Sequence, residues 1–266
     1  MNIAIICVNY NSHSALLDYL HSIEKAYLKN NQKDNLSIYI ADNSCKKQPI
    51  KDSFSYNLIH LYSGKNIGYF GGVQFIIKKA KIELKEYDYI IVSNVDLKLS
   101  ENFFVQLSSY KFEDRIGCVA PSIYSLKEKR DRNPKLITRP SKKKLVFQKL
   151  LYKYPILDML YVKLLYSKRR KKFQNHSEGF IYAAHGSFFI FTNQFSDFLQ
   201  KMKYPCFLFG EEIYLAENLS KLTLSTYYQP NIRVYDLDHV STGKMKSRLY
   251  YRLNYLSIVM LLKEFY

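Results

Sequence analysis

No stretch of this 266-residue chain approaches the roughly 20 consecutive apolar residues that span a bilayer. Its first residues carry no signal-peptide pattern and open directly in a strand-like run, Asn2 to Val8. The two absences point to a soluble protein or one peripheral to a membrane. Cysteine is scarce and scattered: Cys7, Cys45, Cys118 and Cys206 have neither the paired spacing of a zinc site nor a secreted disulfide framework. They read as reduced cytosolic thiols, with Cys7 and Cys118 inside strands. Acidic residues are also in short supply. Against 40 Lys and Arg there are 23 Asp and Glu, a formal charge of +17, which implies an anionic partner: nucleic acid, an acidic membrane surface or a phosphorylated substrate. The apolar fraction of 47% excludes general disorder, and the length suits one large α/β domain or two small ones.

The stretch around which the rest is organised is Tyr89-Ile-Ile-Val-Ser-Asn-Val-Asp96. A short apolar run with branched residues reads as a strand buried on both faces, and polar groups at its carboxyl end fall where open α/β sheets bind ligands. Two readings of Asn94 and Asp96 stand side by side, an Asx-type turn and a metal site facing a diphosphate. Upstream, Ile3 to Val8 is a buried strand ending at Asn9-Tyr10-Asn11-Ser12. Ser12 is placed to cap a helix marked by Leu16, Leu20, Ile23 and Tyr27. A second strand, Leu36 to Ala41, ends at Asp42-Asn43-Ser44, where Asp42 reads either as a turn residue or as an acceptor for a base or ribose. A third, Leu58 to Tyr62, runs into Gly64-Lys-Asn-Ile-Gly-Tyr-Phe-Gly-Gly72 and a helix. Glycines before a helix allow close backbone approach, and the amides at the helix start attract phosphate. The loop lacks the Gly-Lys-Ser/Thr ending of a Walker loop and the spacing of the dinucleotide fingerprint. Strands alternating with helices predict a largely parallel sheet.

Farther on, Glu101 to Tyr110 reads as a helix and Gly117 to Tyr124 as a strand. Lys127 to Asn175 is strongly basic, with Leu157, Leu160, Tyr161 and Leu164 on one face of a helix after Pro155. Such a segment is either a core helix with solvated basic ends or one that lies on an anionic membrane. Glu178 to Phe191 reads as one apolar strand with small residues at its centre, where His185 is either a core histidine or a sugar contact. Glu211 and Glu212 fall in a helix's first turn, where acidic residues are ordinary complements of the helix dipole. Strand-like Thr223 to Tyr228 precedes Pro230 to His239, with Lys244 and Lys246 beyond. A final helix carries the stripe Leu249, Leu253, Leu256 and Met260.

Val8-Asn-Tyr-Asn-Ser12, Ala41-Asp-Asn-Ser44, Gly64-Lys-Asn-Ile-Gly68 with Gly71 and Gly72, and Ser93-Asn-Val-Asp96 occur in order and at the spacing of inverting family 2 glycosyltransferases of the GT-A fold. The chain most resembles the bacterial branch that builds capsule, O-antigen and cell-wall polysaccharides and includes rhamnosyltransferase-like enzymes. The resemblance implies an α/β GT-A fold: a mostly parallel central sheet flanked by helices, with a C-terminal helical extension. The catalytic domain would cover residues 1–244, with a basic acceptor-side insertion at 127–175 and an amphipathic helix at 245–266. It implies that Val8, Asn9, Tyr10 and Asn11 line a nucleotide pocket, that Asp42 binds the base, and that Asn66, Gly68 and Gly72 contact the nucleotide. Asn94, Val95 and Asp96 would correspond to the metal-binding Asp-x-Asp motif. Asn94 replaces its first Asp, which leaves Asp96 as the direct ligand of Mg²⁺ or Mn²⁺.

Carried to the later residues, the resemblance sets His185 and Gly186 beside the donor sugar, makes Glu212 the catalytic base with Glu211 orienting acceptor or base (the two roles open to exchange), and brings His239 to the metal or diphosphate. Glu212 stands where the family has Asp, which lengthens the carboxylate's reach. The chemistry is consistent: charge growing on a diphosphate leaving group needs a cation, and an attacking hydroxyl needs a base within about 3 Å. The implied partners are a UDP- or dTDP-sugar donor, a saccharide acceptor that is lipid-diphosphate-linked, and an anionic membrane surface at the inner face of the cell membrane. The rivals are a nucleic-acid-binding protein and a sugar nucleotidyltransferase; no sequence motif of either is visible, and no nucleic-acid partner is expected.

Overall fold

In a computed structural model the described residues are 1–31, 33–163, 176–237 and 247–266. The first half alternates as expected: β1 (Asn2–Asn9), α1 (His13–Lys29), β2 (Asn35–Asp42), β3 (Asn57–Tyr62), α2 (Tyr69–Lys79) and β4 (Tyr89–Asn94). There follow β5 (Leu97–Leu99), α3 (Phe103–Ser109), β6 (Ile116–Ser125), β7 (Arg130–Asp131), α4 (Lys142–Lys153) and α5 (Pro155–Tyr161). The chain closes with β8 (Gly179–Ile181), β9 (Phe188–Thr192), α6 (Ser196–Lys201), α7 (Glu211–Lys221), β10 (Ser225–Asp236) and α8 (Ser247–Phe265).

Among the described residues one ten-stranded sheet runs β3-β2-β1-β4-β9-β6-β10-β5, with β7 on β6 and β8 on β10. The block β3-β2-β1-β4 is parallel, whereas β9 lies antiparallel between β4 and β6. Both faces are covered, which is why β1 and β4 read as continuous apolar runs. Along β1 the side chains alternate: Ile3, Ile5 and Cys7 pack with Leu16, Leu20 and Ile23 of α1, while Ala4 and Ile6 face Val73, Ile76 and Ile77 of α2. Parallel register brings the ends of β1, β2 and β4 to one edge, with Asn9 opposite Asp42 and Val8 opposite Asn94.

Three local expectations are corrected. Glu178 to Phe191 is not one strand: β8 and β9 are separated by a turn at Tyr182–Ser187, where the His185 N–H is taken by the Asn133 side chain and Gly186 abuts a carboxylate. Thr223 to Tyr228 and the segment after Pro230 are one strand, β10, whose register against β6 shifts between Gln229 and Arg233 because Pro230 has no N–H for the ladder. Ser12 does begin α1, but its hydroxyl turns back to the Tyr10 carbonyl (3.1 Å) and makes no capping bond. The stripe on the last helix divides: Met260 packs on the core and Leu253 is half-buried, while Leu249 and Leu256 are exposed and α8 buries Asn254, Ser257, Ile258 and Leu261.

Candidate functional site

The tips of β1 and β2 form a closed polar cluster. Asn9 Nδ2 donates to Asp42 Oδ2 at 3.0 Å, and the Ser44 amide donates to Oδ1 at 2.9 Å. From β3, His60 Nε2 lies 3.0 Å from the same Oδ2. Asn11, in the left-handed region at φ 52°, directs its amide onto Ser44 Oγ at 2.7 Å. Asp42 is buried. Burial pushes its carboxyl up, but the hydrogen bonds from His60, Ser44 and Asn9 outweigh it and hold the group below its ordinary value.

Next to this cluster the glycine-rich loop docks by packing. Asn43 Nδ2 donates to the Gly68 carbonyl at 2.9 Å, and Asn66 Oδ1 accepts the Gly68 amide at 3.0 Å. Gly68 has φ +81°, and a Cβ there would lie 2.2 Å from the Phe207 carbonyl oxygen. A Cβ on Gly72 would lie 2.9 Å from Val8. Both glycines are therefore required by neighbouring chain. The loop is tied on one side to β1 and on the other to the segment leading into α7.

At the end of β4, Ser93 Oγ pairs with the buried Tyr19 hydroxyl at 2.7 Å, and the Asn94 amide donates to the Ser187 carbonyl at 2.9 Å. Val95 belongs to the core, and Asp96 is partly exposed, its carbonyl accepting from the Leu237 amide at 3.5 Å. Tyr69, the first residue of α2, is buried, and its hydroxyl has no hydrogen-bond partner among the described residues. Burial pushes the Tyr69 phenol well up, with Glu211 and Asp96 acting in the same direction, so it stays protonated.

The two glutamates are presented by an unusual turn. Phe209 (φ 70°) and Gly210 (φ 85°) are both left-handed, a conformation that costs a non-glycine residue about 1–3 kcal/mol. The turn is braced by Tyr204, whose hydroxyl donates to the Phe209 carbonyl at 2.5 Å, and by Ser257 and Leu261 of α8 against Gly210. A Cβ on Gly186 would lie 2.7 Å from Glu211 Oε1 and 3.3 Å from Glu212 Oε1, so this glycine opens room for both carboxylates. Burial first, and Glu212 second, push the Glu211 carboxyl up to about 8. Glu212 instead has Lys135 Nζ at 3.4 Å. Burial and the neighbouring carboxylate thus both favour the protonated form of Glu211.

A basic wall completes the site. Arg132 Nε lies 2.9 Å from Asp236 Oδ2, and Lys135 reaches Glu212. His185 accepts the Ser187 amide on Nδ1 (3.3 Å), which leaves its proton on Nε2. Burial holds the imidazole well below its ordinary value, with Lys135, Arg132 and Arg130 acting in the same sense. It is neutral.

Of the residues foreseen from sequence, Asn9, Asn11, Asp42, Asn66, Gly68 and Gly72 share one connected loop system with Val8, and Asn94, Gly186, Glu211 and Glu212 meet around the Ser187 turn, with Asp96 two residues past Asn94. Tyr10 is exposed, and Val95 is a core residue. His239, Lys244 and Lys246 lie outside the described residues. Sequence reasoning missed His60, Tyr69, Lys135 and Arg132. His60 carried a usable signal, being the one polar residue inside the Leu58–Tyr62 strand run. Among the described residues no three His, Cys, Asp or Glu side chains cluster as a metal site, and no helix is long and apolar enough to cross a membrane. The donor chemistry at β4 is one carboxylate, Asp96. It fits a hard cation whose shell is completed by phosphate oxygens and water, and it does not fit a cage built by protein alone.

No protein-family model matches the chain, and no curated protein matches it in sequence. Solved structures do match its fold. The structure of GalNAc-T7 with UDP, GalNAc and Mn²⁺ superposes with a TM-score of 0.60 at 14% identity, over 98% of this chain and 48% of that one. TarS of S. aureus superposes with a TM-score of 0.57 at 11% identity, over 98% of this chain and 39% of that one. The chain thus spans less than half the length of either structure, and it has their GT-A-like α/β fold, a central sheet flanked by helices.

Proposed function

We propose that this protein is an inverting glycosyltransferase of the family 2 type, moving a sugar from a UDP- or dTDP-linked donor to a hydroxyl of a saccharide acceptor in surface polysaccharide synthesis. The observation that carries the reading is that the end of β4 and the start of α7 meet across one turn: the Asn94 amide donates to the Ser187 carbonyl, and the adjacent Gly186 makes room for Glu211 and Glu212. A diphosphate would enter at Asp96, just past the end of β4, and a general base is needed on the opposite side of the sugar. The GT-A-like fold and the order of the sequence motifs support the same reading.

In this scheme Glu212, paired with Lys135, takes the proton of the attacking hydroxyl, and protonated Glu211 is a hydrogen-bond donor beside it. Asp42 and the Asn9 to Asn11 loop form the nucleoside end of the pocket, with His185 and Gly186 near the sugar. Asp96, together with His239, would hold Mg²⁺ or Mn²⁺, which neutralises charge on the departing diphosphate. The acceptor is a lipid-diphosphate-linked saccharide at the inner face of the cell membrane.

The test is a thermal-shift screen of UDP-, dTDP- and GDP-sugars with and without Mn²⁺. A ligand at about 100 times its Kd adds about 2.7 kcal/mol to the stability of the native state. A metal-dependent rise in Tm with one nucleotide class supports the reading. No shift with any of them sinks it.

A further inference from the structure

Large apolar side chains are unevenly exposed on this molecule. Nine of those that face solvent lie between residues 146 and 162, in α4, in α5 and at the residues on either side of α5. α5 buries none of its residues; Ile156 and Met159, one helical turn apart, are 72% and 67% exposed. α8 adds Leu249, Leu256 and Val259 to the exposed set. The three helices form one unit: α4 packs on α8, the Tyr251 hydroxyl donates to Asp158 at 2.7 Å, and Tyr152 meets the rings of Tyr250 and Tyr251.

The charge around this apolar surface has one sign. From Pro140 to Lys163 there are six lysines, 142, 143, 144, 149, 153 and 163, and a single acid, Asp158, already bonded to Tyr251. Arg248 and Arg252 extend the basic character along α8. Apolar side chains standing out of a lysine-rich field complement a surface that is negative outside and hydrocarbon beneath. A dimer of this unit would set like charges against each other, and nucleic acid gives no place to the side chains of Ile156 and Met159.

We propose that the α4–α5–α8 unit is the surface by which this protein docks on an anionic lipid bilayer, with Ile156 and Met159 entering the headgroup region. The unit adjoins the carboxylate pair, because Ser257 and Leu261 of α8 pack on Gly210 and Phe209 meets the Tyr250 ring. Docking there would bring a bilayer-held acceptor to the Glu211 end of the site. That consequence rests on the transferase reading, whereas the docking surface does not.

The full chain is sedimented with vesicles of phosphatidylcholine alone and with vesicles in which part of it is replaced by phosphatidylglycerol, at low and high salt. Each cation near an anionic surface contributes about a factor of five in partitioning. Binding is expected to the anionic vesicles, weakened by salt. Ile156→Ser with Met159→Ser, and separately Lys143→Glu with Lys144→Glu, are each expected to lower it at least tenfold with the thermal midpoint unchanged. Equal partitioning to both vesicle types, or none, overturns the proposal. So does a dimer that Ile156→Ser with Met159→Ser dissolves, or oligonucleotide binding lost in Lys143→Glu with Lys144→Glu while vesicle binding is absent. The nucleotide-sugar thermal shift, run on the same samples, separates the two ideas: intact shift without vesicle binding removes docking alone, and the reverse removes sugar transfer alone.

Discussion

A Cβ on Gly186 would lie 2.7 Å from Oε1 of Glu211, closer than any side-chain carbon approaches an oxygen, so the turn before β9 and the first residue of α7 are built for each other. The obstructing atom is the end of a flexible side chain, and Gly186 is not left-handed. Gly186→Ala is therefore expected to cost about 1 kcal/mol or less in stability, since Glu211 can swing aside. The displaced carboxylate should cost roughly a hundredfold in kcat, because misplacing a catalytic group by about 1 Å has that effect. Urea unfolding and turnover measured on the same preparation check this; normal turnover would show that the pair needs no such precision.

Glu211 makes stability depend on pH. Its carboxyl in the folded protein is raised from 4.5 to about 8. The folded state thus binds this proton more tightly than the unfolded state, and the associated stability is complete below about pH 4.5 and lost as pH rises through 8. Glu211→Gln removes the titration. Its Tm is expected to match the wild type near pH 4.5 and to exceed it by a growing margin up to pH 9, an effect on the order of a few kcal/mol. Because burial and Glu212 push Glu211 toward its neutral form, which Gln mimics, this variant should lose less than about tenfold in kcat, whereas Glu212→Gln should lose about 10²–10⁴. The opposite ranking would exchange the two roles.

The Tyr69 hydroxyl is a buried donor without a partner among the described residues. Leaving such a group unsatisfied costs about 1–3 kcal/mol. Tyr69→Phe is expected to raise Tm in the absence of ligand, and to weaken donor binding about tenfold if the hydroxyl is satisfied by the donor. Calorimetric titration with the nucleotide sugar decides: a more stable variant with unaltered affinity would mean the hydroxyl never meets substrate.

Much of this site could be read from the order of residues, because parallel strands put their polar tips on one edge whatever lies between them. Asn9, Asp42 and Asp96 each follow a short apolar run, and that pattern alone locates them. The missed residues come from pairings across sequence distance: His60 reaches Asp42 only because β3 lies beside β2, and Lys135 reaches Glu212 only through a long excursion with no periodic pattern. The spacing of Leu249, Leu253, Leu256 and Met260 left open which side of α8 packs, and the structure seats the helix through Ser257 and Leu261 on Gly210, with Met260 against the core and Leu249 and Leu256 exposed.

Asp42 gathers the Asn9 side chain, the Ser44 amide and His60 in a buried cluster. Its folded carboxyl is depressed below 3.8, so its contribution is present above that pH and is lost as pH falls through the lower folded value. Asp42→Asn keeps the shape and removes the charge, turning one acceptor into a donor facing donors. About 2 kcal/mol of destabilisation is expected at pH 7, shrinking as the wild-type carboxylate is protonated. Equal urea midpoints for the two proteins at pH 7 would mean the cluster contributes nothing to the fold.

Gly68 and Gly71 stand in one glycine-rich segment yet should respond oppositely to alanine. Gly68 is left-handed, and its Cβ would lie 2.2 Å from a backbone oxygen, that of Phe207, which cannot move without shifting the chain that leads to Glu211. Gly71 lies within α2, where the nearest atom to an added Cβ is the Ile67 side chain at 3.4 Å. Gly68→Ala is expected to cost about 3 kcal/mol or more, from left-handed strain and the forced opening together. Gly71→Ala should stabilise by about 0.5–1 kcal/mol, the ordinary gain of alanine over glycine inside a helix. If the glycines were there chiefly for phosphate, both substitutions would instead leave stability alone and abolish the nucleotide-induced rise in Tm, so unfolding with and without the nucleotide sugar tells packing from ligand approach at each position.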